Sequence, residues 1–282
     1  MSSTSRISLV VTTYNWPQAL ALVLDSVRAQ HVLPDEVVIA DDGSRDDTLG
    51  LLERTARDFP VPLRHCWQED VGFRVARSRN RAIAAARNGY VLLLDGDMVL
   101  HPRFVADHRA AMHAGAYVQG SRVLTSPDFA TRLLHGAQHT VTWRSPGIER
   151  RRNAVRMPWL SRWYQQRSAT RTPTRIKTCN QGWWREDLLA LNGFDERYEG
   201  WGREDEDLAV RAGHAGLVCR QMRFAGLAFH LYHRERHQDG ASPNDALLAD
   251  ARASGATRAA VGIDRHLPEF IAQPLPDLRE RA

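Results

Sequence analysis

Three apolar runs of strand length recur in the first hundred residues, with helical patterns between them, and each run ends in a polar cluster. Ile7 to Thr12 (ISLVVT), Glu36 to Ala40 (EVVIA) and Tyr90 to Leu94 (YVLLL) are too continuous for half-exposed strands and too short for helices. They read as strands covered on both faces. A helix is expected from Pro17, a good first-turn residue, through Ala19, Leu20, Val23, Leu24 and Val27. A second is expected over Asp46 to Asp58 and, after a weaker strand at Pro62 to Trp67, a third over Phe73 to Arg87. Strands and helices alternating at this pace indicate a parallel, doubly wound α/β sheet. Ligands of such sheets gather outside the carboxyl ends of the strands. Thr13-Tyr14-Asn15, Asp41-Asp42 and Asp95-Gly96-Asp97 all fall there, so one edge carries the candidate site.

The second half is less regular. A helix is expected over His101 to Ala114, a strand over Tyr117 to Leu124 and a short helix near Arg185 to Leu191. The densest polar stretch, Gly200-Trp201-Gly202-Arg203-Glu204-Asp205-Glu206-Asp207, opens a helix running to about Ala212. A strand near Ala225 to His230 brings His230 and His233 to the same edge, and the chain closes with a helix (Asn244 to Ala253) and a Pro-rich tail.

Two carboxylates at i and i+2 after a buried strand, Asp95 and Asp97, can share one divalent ion. Hard oxygen ligands favour Mg²⁺ or Mn²⁺ completed by substrate phosphates; the plain alternative is a strand-ending turn. Asp41 or Asp42 can accept the imide N–H of uracil or a ribose hydroxyl, or can cap the next helix with Ser44 and Asp46. Arg74, Arg77 and Arg79 offer guanidinium forks to a pyrophosphate. Four successive acids at 204–207 exceed what a helix N-terminus requires, and their crowding can raise one pKa toward general-base range. His230 or His233 can complete a metal shell with Asp97, or sit in the core.

Composition removes whole classes. No apolar run approaches the ~20 residues of a membrane span, and Met1 to Arg6 is a polar lead without a signal-peptide core. Cys66, Cys179 and Cys219 are odd in number and far apart, which fits neither a disulfide framework nor a zinc site and suggests a reducing cytoplasm. A dinucleotide fingerprint and a Walker A loop are both missing after the first strand. The formal charge is +5, but Arg144 to Lys177 carries nine Arg and one Lys against Glu149 alone, leaving the remainder net −4. This stretch, interleaved with Trp159, Trp163 and Tyr164, reads either as a dock for anionic lipid or a lipid-linked acceptor, or as a solvated loop or lid. An Arg/Trp nucleic-acid-binding module would leave the carboxylate clusters unexplained, so no nucleic acid is expected. A DxD phosphatase is the rival enzyme, but its usual Gly-Thr/Val signal is replaced by Met98-Val99.

In this order the clusters resemble glycosyltransferase family 2 and its nucleotide-sugar-binding GT-A fold. The opening Val-Val-Thr-Thr-Tyr-Asn, Asp-Asp-Gly-Ser, Gly72 to Asn80 and Leu-Asp-Gly-Asp-Met carry the first half of that resemblance. Asn180 to Arg211, with Gly193-Phe194-Asp195-Glu196 and Gly200 to Asp205, is similar to the galactosyltransferase-type region of β-1,4-galactosyltransferases and bacterial chondroitin-polymerase-like enzymes. Leu124 to Thr178 matches neither.

The resemblance implies a mostly parallel Rossmann-like sheet flanked by helices, with an irregular acceptor side. Residues 1–124 would form the nucleotide-sugar half, 125–178 a basic insertion or acceptor/membrane segment, 179–240 the acceptor/catalytic half and 241–282 a helix and tail. It further implies an inverting, Mn²⁺- or Mg²⁺-dependent transferase moving a hexose or N-acetylhexosamine from a UDP-sugar to a glycan hydroxyl. Bacterial surface polysaccharide or lipopolysaccharide synthesis at the inner face of the cytoplasmic membrane would be its setting. Asp97 would bind the metal, with Asp95 toward ribose and metal, and His230 ahead of His233 as the histidine ligand. Thr13, Tyr14, Asn15, Asp41, Asp42, Arg77 and Gly96 would line the nucleotide site, and Trp201 would pack on a sugar. Asp205 would be the catalytic base and Glu204 a sugar-hydroxyl ligand.

Overall fold

The computed structural model describes residues 6–136, 141–174, 176–234 and 242–281; most of the polar lead and Arg175 of the basic stretch lie outside them. Strands β1 (Ile7–Thr13), β2 (Glu36–Asp41), β3 (Leu63–Trp67) and β4 (Tyr90–Asp95) pair in parallel, with helices α1 (Pro17–Arg28), α2 (Asp46–Ala56) and α3 (Val75–Ala85) as the crossovers. Apart from the half-buried Thr12, the apolar runs are buried along their length, as continuous hydrophobicity demands of a two-sided sheet. In α1, Leu20, Val23, Leu24 and Val27 at i, i+3, i+4 and i+7 form the stripe laid on that sheet.

The rest of the chain differs from the expectation in instructive ways. The strand expected over Tyr117 to Leu124 is two strands in two sheets, broken at Gly120-Ser121. These follow β5 (Met98–Leu100) and α4 (Phe104–Ala111), and are β6 (Ala116–Gly120) and β7 (Arg122–Leu124). A Cβ on Gly120 would lie 2.3 Å from the Asn180 side chain, so the break is packed to a glycine. After α5 (Pro127–Leu134) and α6 (Pro158–Arg167), the polar Asn180-Gln181-Gly182-Trp183-Trp184 run forms β8 (Asn180–Trp184), antiparallel between β4 and β6. Trp183 stacks on Tyr117 with centroids 3.8 Å apart, which anchors that junction in the core.

Then come α7 (Arg185–Ala190), α8 (Glu204–His214), β9 (Val218–Met222) and β10 (Ala228–His230). The main sheet has the order β3-β2-β1-β4-β8-β6-β9, so strands from both sides of the basic stretch share it. A small second sheet, β5-β10-β7, sits at the carboxyl end of β4. The segment expected as a tail is packed: α9 (Pro243–Ser254) starts with a capping box between Ser242 and Asp245, and α10 (Leu267–Ala272) lies on α3. Phe270 and Leu278 are buried in the core clusters on the two sheet faces. Among the described residues, no helix is long and apolar enough to cross a membrane.

Candidate active site

β4 ends at Asp95, and the chain reverses through Gly96 and Asp97 into β5. The reversal needs glycine: a Cβ on Gly96 would lie 2.6 Å from the Thr12 carbonyl, which already accepts the Gly96 N–H at 2.7 Å. Gly96→Ala should therefore lower unfolding free energy by about 1–3 kcal/mol, read as a lower urea midpoint.

β10 pairs antiparallel with β5 in the register His230↔Met98, and the Leu231 N–H donates to the Asp97 carbonyl at 2.9 Å. That ladder carries both histidines to Asp97. His230 Nε2 lies 3.3 Å and His233 Nε2 3.1 Å from Asp97 Oδ2. The three donor atoms lie within 4.8 Å of one another, as one ion requires. Burial raises the Asp97 pKa, but the His230 and His233 hydrogen bonds outweigh it and hold the carboxyl well below the usual carboxylate range. Its second oxygen, Oδ1, is buried without a partner. An anionic carboxylate with an orphaned oxygen beside two imidazoles fits a divalent cation.

Asp95 points elsewhere. Its Oδ1 accepts from Arg79 Nη2 at 3.0 Å, and Arg79 also donates to Glu204 Oε1 at 3.1 Å and Thr12 Oγ1 at 3.3 Å. Burial opposes the charge on Arg79, but Asp95, Glu204 and Asp205 keep its pKa above the ordinary value. Burial raises the Asp95 pKa against the pull of Arg79, with Asp97 adding repulsion.

α8 begins beyond a loop in which Gly200, Gly202 and Arg203 all have positive φ, at +76°, +94° and +80°. Arg203, a non-glycine in that region, is held by ion pairs to Asp245 and Glu206, both at 2.7 Å. The four acids of this helix have different surroundings. Asp207 is buried against Arg211, and Glu206 pairs outward with Arg203 and Arg252. Glu204 and Asp205 face the site, and the paired Glu206 lines the same cavity. Burial and the charge of Glu204 push Asp205 up to about 7.

Two cavities meet over these groups. One, of about 390 Å³, is lined by Thr12 to Tyr14, Asp42, Gly96, Asp97 and His233. The other, of about 600 Å³, is lined by Arg122, Lys177, Glu204 and Asp205. Phe73, Val75, Arg79, Asp95 and Trp201 line both and form the wall between them.

Residues 8–173 match the glycosyl transferase family 2 profile, more than half of the chain. The chain belongs to glycosyltransferase family 2. The match runs through most of the stretch for which the sequence motifs alone offered no counterpart. A second profile, described as the N-terminal domain of galactosyltransferase, matches residues 167–234. Validoxylamine A glucosyltransferase of Streptomyces hygroscopicus subsp. limoneus is 28% identical, over 75% of this chain and 48% of its own length. Chondroitin synthase of Escherichia coli is 27% identical, over 79% of this chain and 34% of its own length. The chain thus spans half or less of these curated relatives.

Among solved structures, S. aureus TarS residues 1–349 with UDP-GlcNAc superposes with TM-score 0.60 at 19% identity, covering 94% of this chain and 71% of that one. The mannosyltransferase PcManGT of Pyrobaculum calidifontis, with GDP-Man and Mn²⁺, gives 0.54 at 18%, covering 95% and 73%. At these identities the likeness shows the fold, a mostly parallel GT-A-like sheet.

Within this family 2 chain, the structure gathers Thr13, Tyr14, Asp42, Asp95, Gly96, Asp97, Trp201 and His233 at one cavity, and Glu204 and Asp205 at the next. Both histidines reach Asp97, whereas Asp95 is outside the trio that can hold an ion. Asp42 is held by Gln68 Nε2 at 2.6 Å and the Arg74 N–H at 2.9 Å, and burial raises its pKa against those bonds. Asp41 is not brought to the cavity: its oxygens are taken by the Ser44 N–H at 2.7 Å and His65 Nε2 at 2.8 Å. Asn15 likewise ties the loop, accepting from the Arg45 N–H at 3.0 Å.

Arg77 is not brought there either. It lines a separate cavity of about 620 Å³ with Arg74, Arg197 and Arg265. Arg79 takes the place at the site, and helical spacing carried the signal: position 79 shares the buried stripe of α3 with Val75, Ala76 and Ile83.

Proposed function

We propose that this chain is a metal-dependent inverting transferase that moves a hexose or N-acetylhexosamine from a UDP-sugar to a hydroxyl of a glycan acceptor. The observation that carries the reading is the pairing of two compartments through one wall. Asp97 and His233 of the cation trio face the first, and a carboxyl with pKa about 7 faces the second. The TarS structure with UDP-GlcNAc and the chondroitin synthase relatives support a UDP-sugar and a polysaccharide acceptor. Synthesis of a bacterial surface glycan on the cytoplasmic side is the setting that reading implies.

In this scheme Asp42 receives the base or ribose, with Thr13 and Tyr14 beside it. Asp97, His230 and His233 would hold the cation. When bound there it supplies Lewis-acid neutralisation of the departing diphosphate. Two imidazoles and one carboxylate favour Mn²⁺ over Mg²⁺, which prefers an all-oxygen shell with retained waters. Asp205, poised near neutral pH, takes the proton of the acceptor hydroxyl as that oxygen attacks the anomeric carbon. Arg79 bridges Asp95 on the donor side and Glu204 on the acceptor side, so it fixes one against the other. Trp201, 56% exposed between the compartments, offers an aromatic face to a sugar ring.

A panel of UDP-sugars tests the reading, with thermal unfolding and sugar transfer followed in Mn²⁺, Mg²⁺ and EDTA. One UDP-sugar should raise the melting temperature in Mn²⁺, less in Mg²⁺ and not in EDTA. Absence of a shift with every UDP-sugar, or phosphate release from a phosphoester without any sugar nucleotide, would sink it.

A further inference from the structure

Helix α6 is turned inside out relative to an ordinary surface helix. Its buried side chains are Ser161, 1% exposed, and Gln165, 6% exposed, while Trp159 and Trp163 stand 66% and 51% exposed. Gln165 Nε2 donates to Ser161 Oγ at 3.1 Å, so the polar pair is satisfied inward and the helix is seated in this orientation. Positions 159, 162, 163 and 166 follow the i, i+3, i+4, i+7 spacing of one helix face, so the outward stripe is Trp-Arg-Trp-Gln. Arg167 lies over the Trp163 ring at 5.4 Å, and Arg162 has no ion-pair or hydrogen-bond partner among the described residues.

The sequence around the helix is basic. Between Glu149 and Glu186 the sequence contains no acidic residue. Beside the helix, Tyr164 lines a cavity with Arg122, Lys177 and Arg223, and Arg122 and Lys177 also line the cavity of Asp205. Exposed tryptophans flanked by arginines suit a membrane–water interface, where the rings sit at headgroup level and the guanidinium groups meet anionic lipid. A protein partner would need acidic complementarity to the same stripe, but would not by itself favour two exposed indoles flanked by Arg162 and Arg167.

We infer that α6 is a peripheral docking helix for an anionic lipid surface, with Trp159 and Trp163 entering the headgroup region and Arg162 and Arg167 pairing with lipid phosphates. Docked this way, the basic groove through Tyr164, Arg122 and Lys177 leads from the bilayer to the compartment of Asp205. A lipid-linked acceptor would enter along it. The docking stands independently of the transferase reading; only this consequence rests on it.

Vesicle flotation of the full chain tests the docking, using phosphatidylcholine vesicles with and without 30% phosphatidylglycerol (roughly the anionic share that a basic surface senses). The chain should float with anionic vesicles only, and release as salt rises. Arg162→Gln with Arg167→Gln should weaken partitioning on the order of 25-fold, since each arginine near such a surface contributes about fivefold. Trp159→Ser with Trp163→Ser should weaken it at least about tenfold, with an unchanged melting temperature. Failure to float with anionic vesicles, or equal flotation of both double variants, overturns the proposal. Concentration-dependent dimerisation abolished by the tryptophan variant, without lipid binding, would assign the face to a second copy and overturn it as well.

Discussion

Asp205→Asn lowers the transfer rate by on the order of 10²–10⁴ while leaving nucleotide binding intact. The asparagine is nearly isosteric but cannot accept the acceptor hydroxyl's proton. Asp205 lines the compartment beyond the shared wall and not the one formed by Asp42 and Asp97, so donor affinity has no reason to move. The wild-type pH profile supports the same assignment. A base pushed up to about 7 is largely protonated at pH 6, so kcat should rise nearly tenfold per unit below pH 7 and level off above it. In Asp205→Asn that rise disappears.

Stability moves the opposite way. The carboxyl is raised from its ordinary 3.8 to about 7 in the folded chain, so its ionised form is disfavoured by folding. That penalty is absent well below the unfolded pKa, grows as pH climbs from about 4 to 7 and is constant above. Asp205→Asn should therefore melt higher than wild type at pH 8, with the gap closing toward pH 4. A variant that loses activity, gains stability at neutral pH and shows no pH-dependent gap would contradict the titration argument. Retained wild-type transfer would contradict the assignment itself.

Asp97→Ala removes metal-dependent UDP binding, with affinity falling by at least about 100-fold. The carboxylate is the sole anionic donor of the trio and the group toward which both imidazoles are directed. Without it, His230 and His233 face each other with ring centroids 5.0 Å apart and have lost the carboxylate oxygen that both approach. Calorimetric titration of UDP with Mn²⁺ reads the loss directly, and a melt of the metal-free protein checks that the fold survives. Unchanged calorimetry would remove the cation site from the scheme. His230→Ala and His233→Ala should each weaken the same titration, with His230 the stronger because β10 holds it in the ladder.

Much of the N-terminal half was legible because its signals are local. β1, β2 and β4 are continuous apolar runs, and only a two-sided burial explains such runs, so parallel pairing followed from composition of the segment alone. β5, β8 and β9 were not visible. They are three to five residues long, and two of them, NQGWW and VCRQM, carry polar side chains because their neighbours in space, rather than their own pattern, hold them in strand form. The apolar content of the C-terminal segment was likewise readable, but Phe270 and Leu278 find the core only through contacts with residues some two hundred positions away, such as Asp277 accepting from the Leu63 N–H at 3.2 Å.

Residue type and spacing by themselves determined the chemistry available to this protein: a DxD at the end of a buried strand, an acid cluster at a helix start, two histidines three apart and one basic stretch. These are local facts, and they narrow the reaction class because carboxylates and imidazoles in such patterns have few uses. Only the tertiary structure decided which member of each cluster faces the cavities. It turned Asp42 rather than Asp41 toward the cavity, Arg79 rather than Arg77, and Glu204 and Asp205 rather than the buried Asp207. It also separated Asp95, paired with Arg79, from the trio of Asp97, His230 and His233. Neighbours in sequence differ by a rotation about a helix or by the pleat of a strand, and what lies across that rotation is set by the long-range partner packed there.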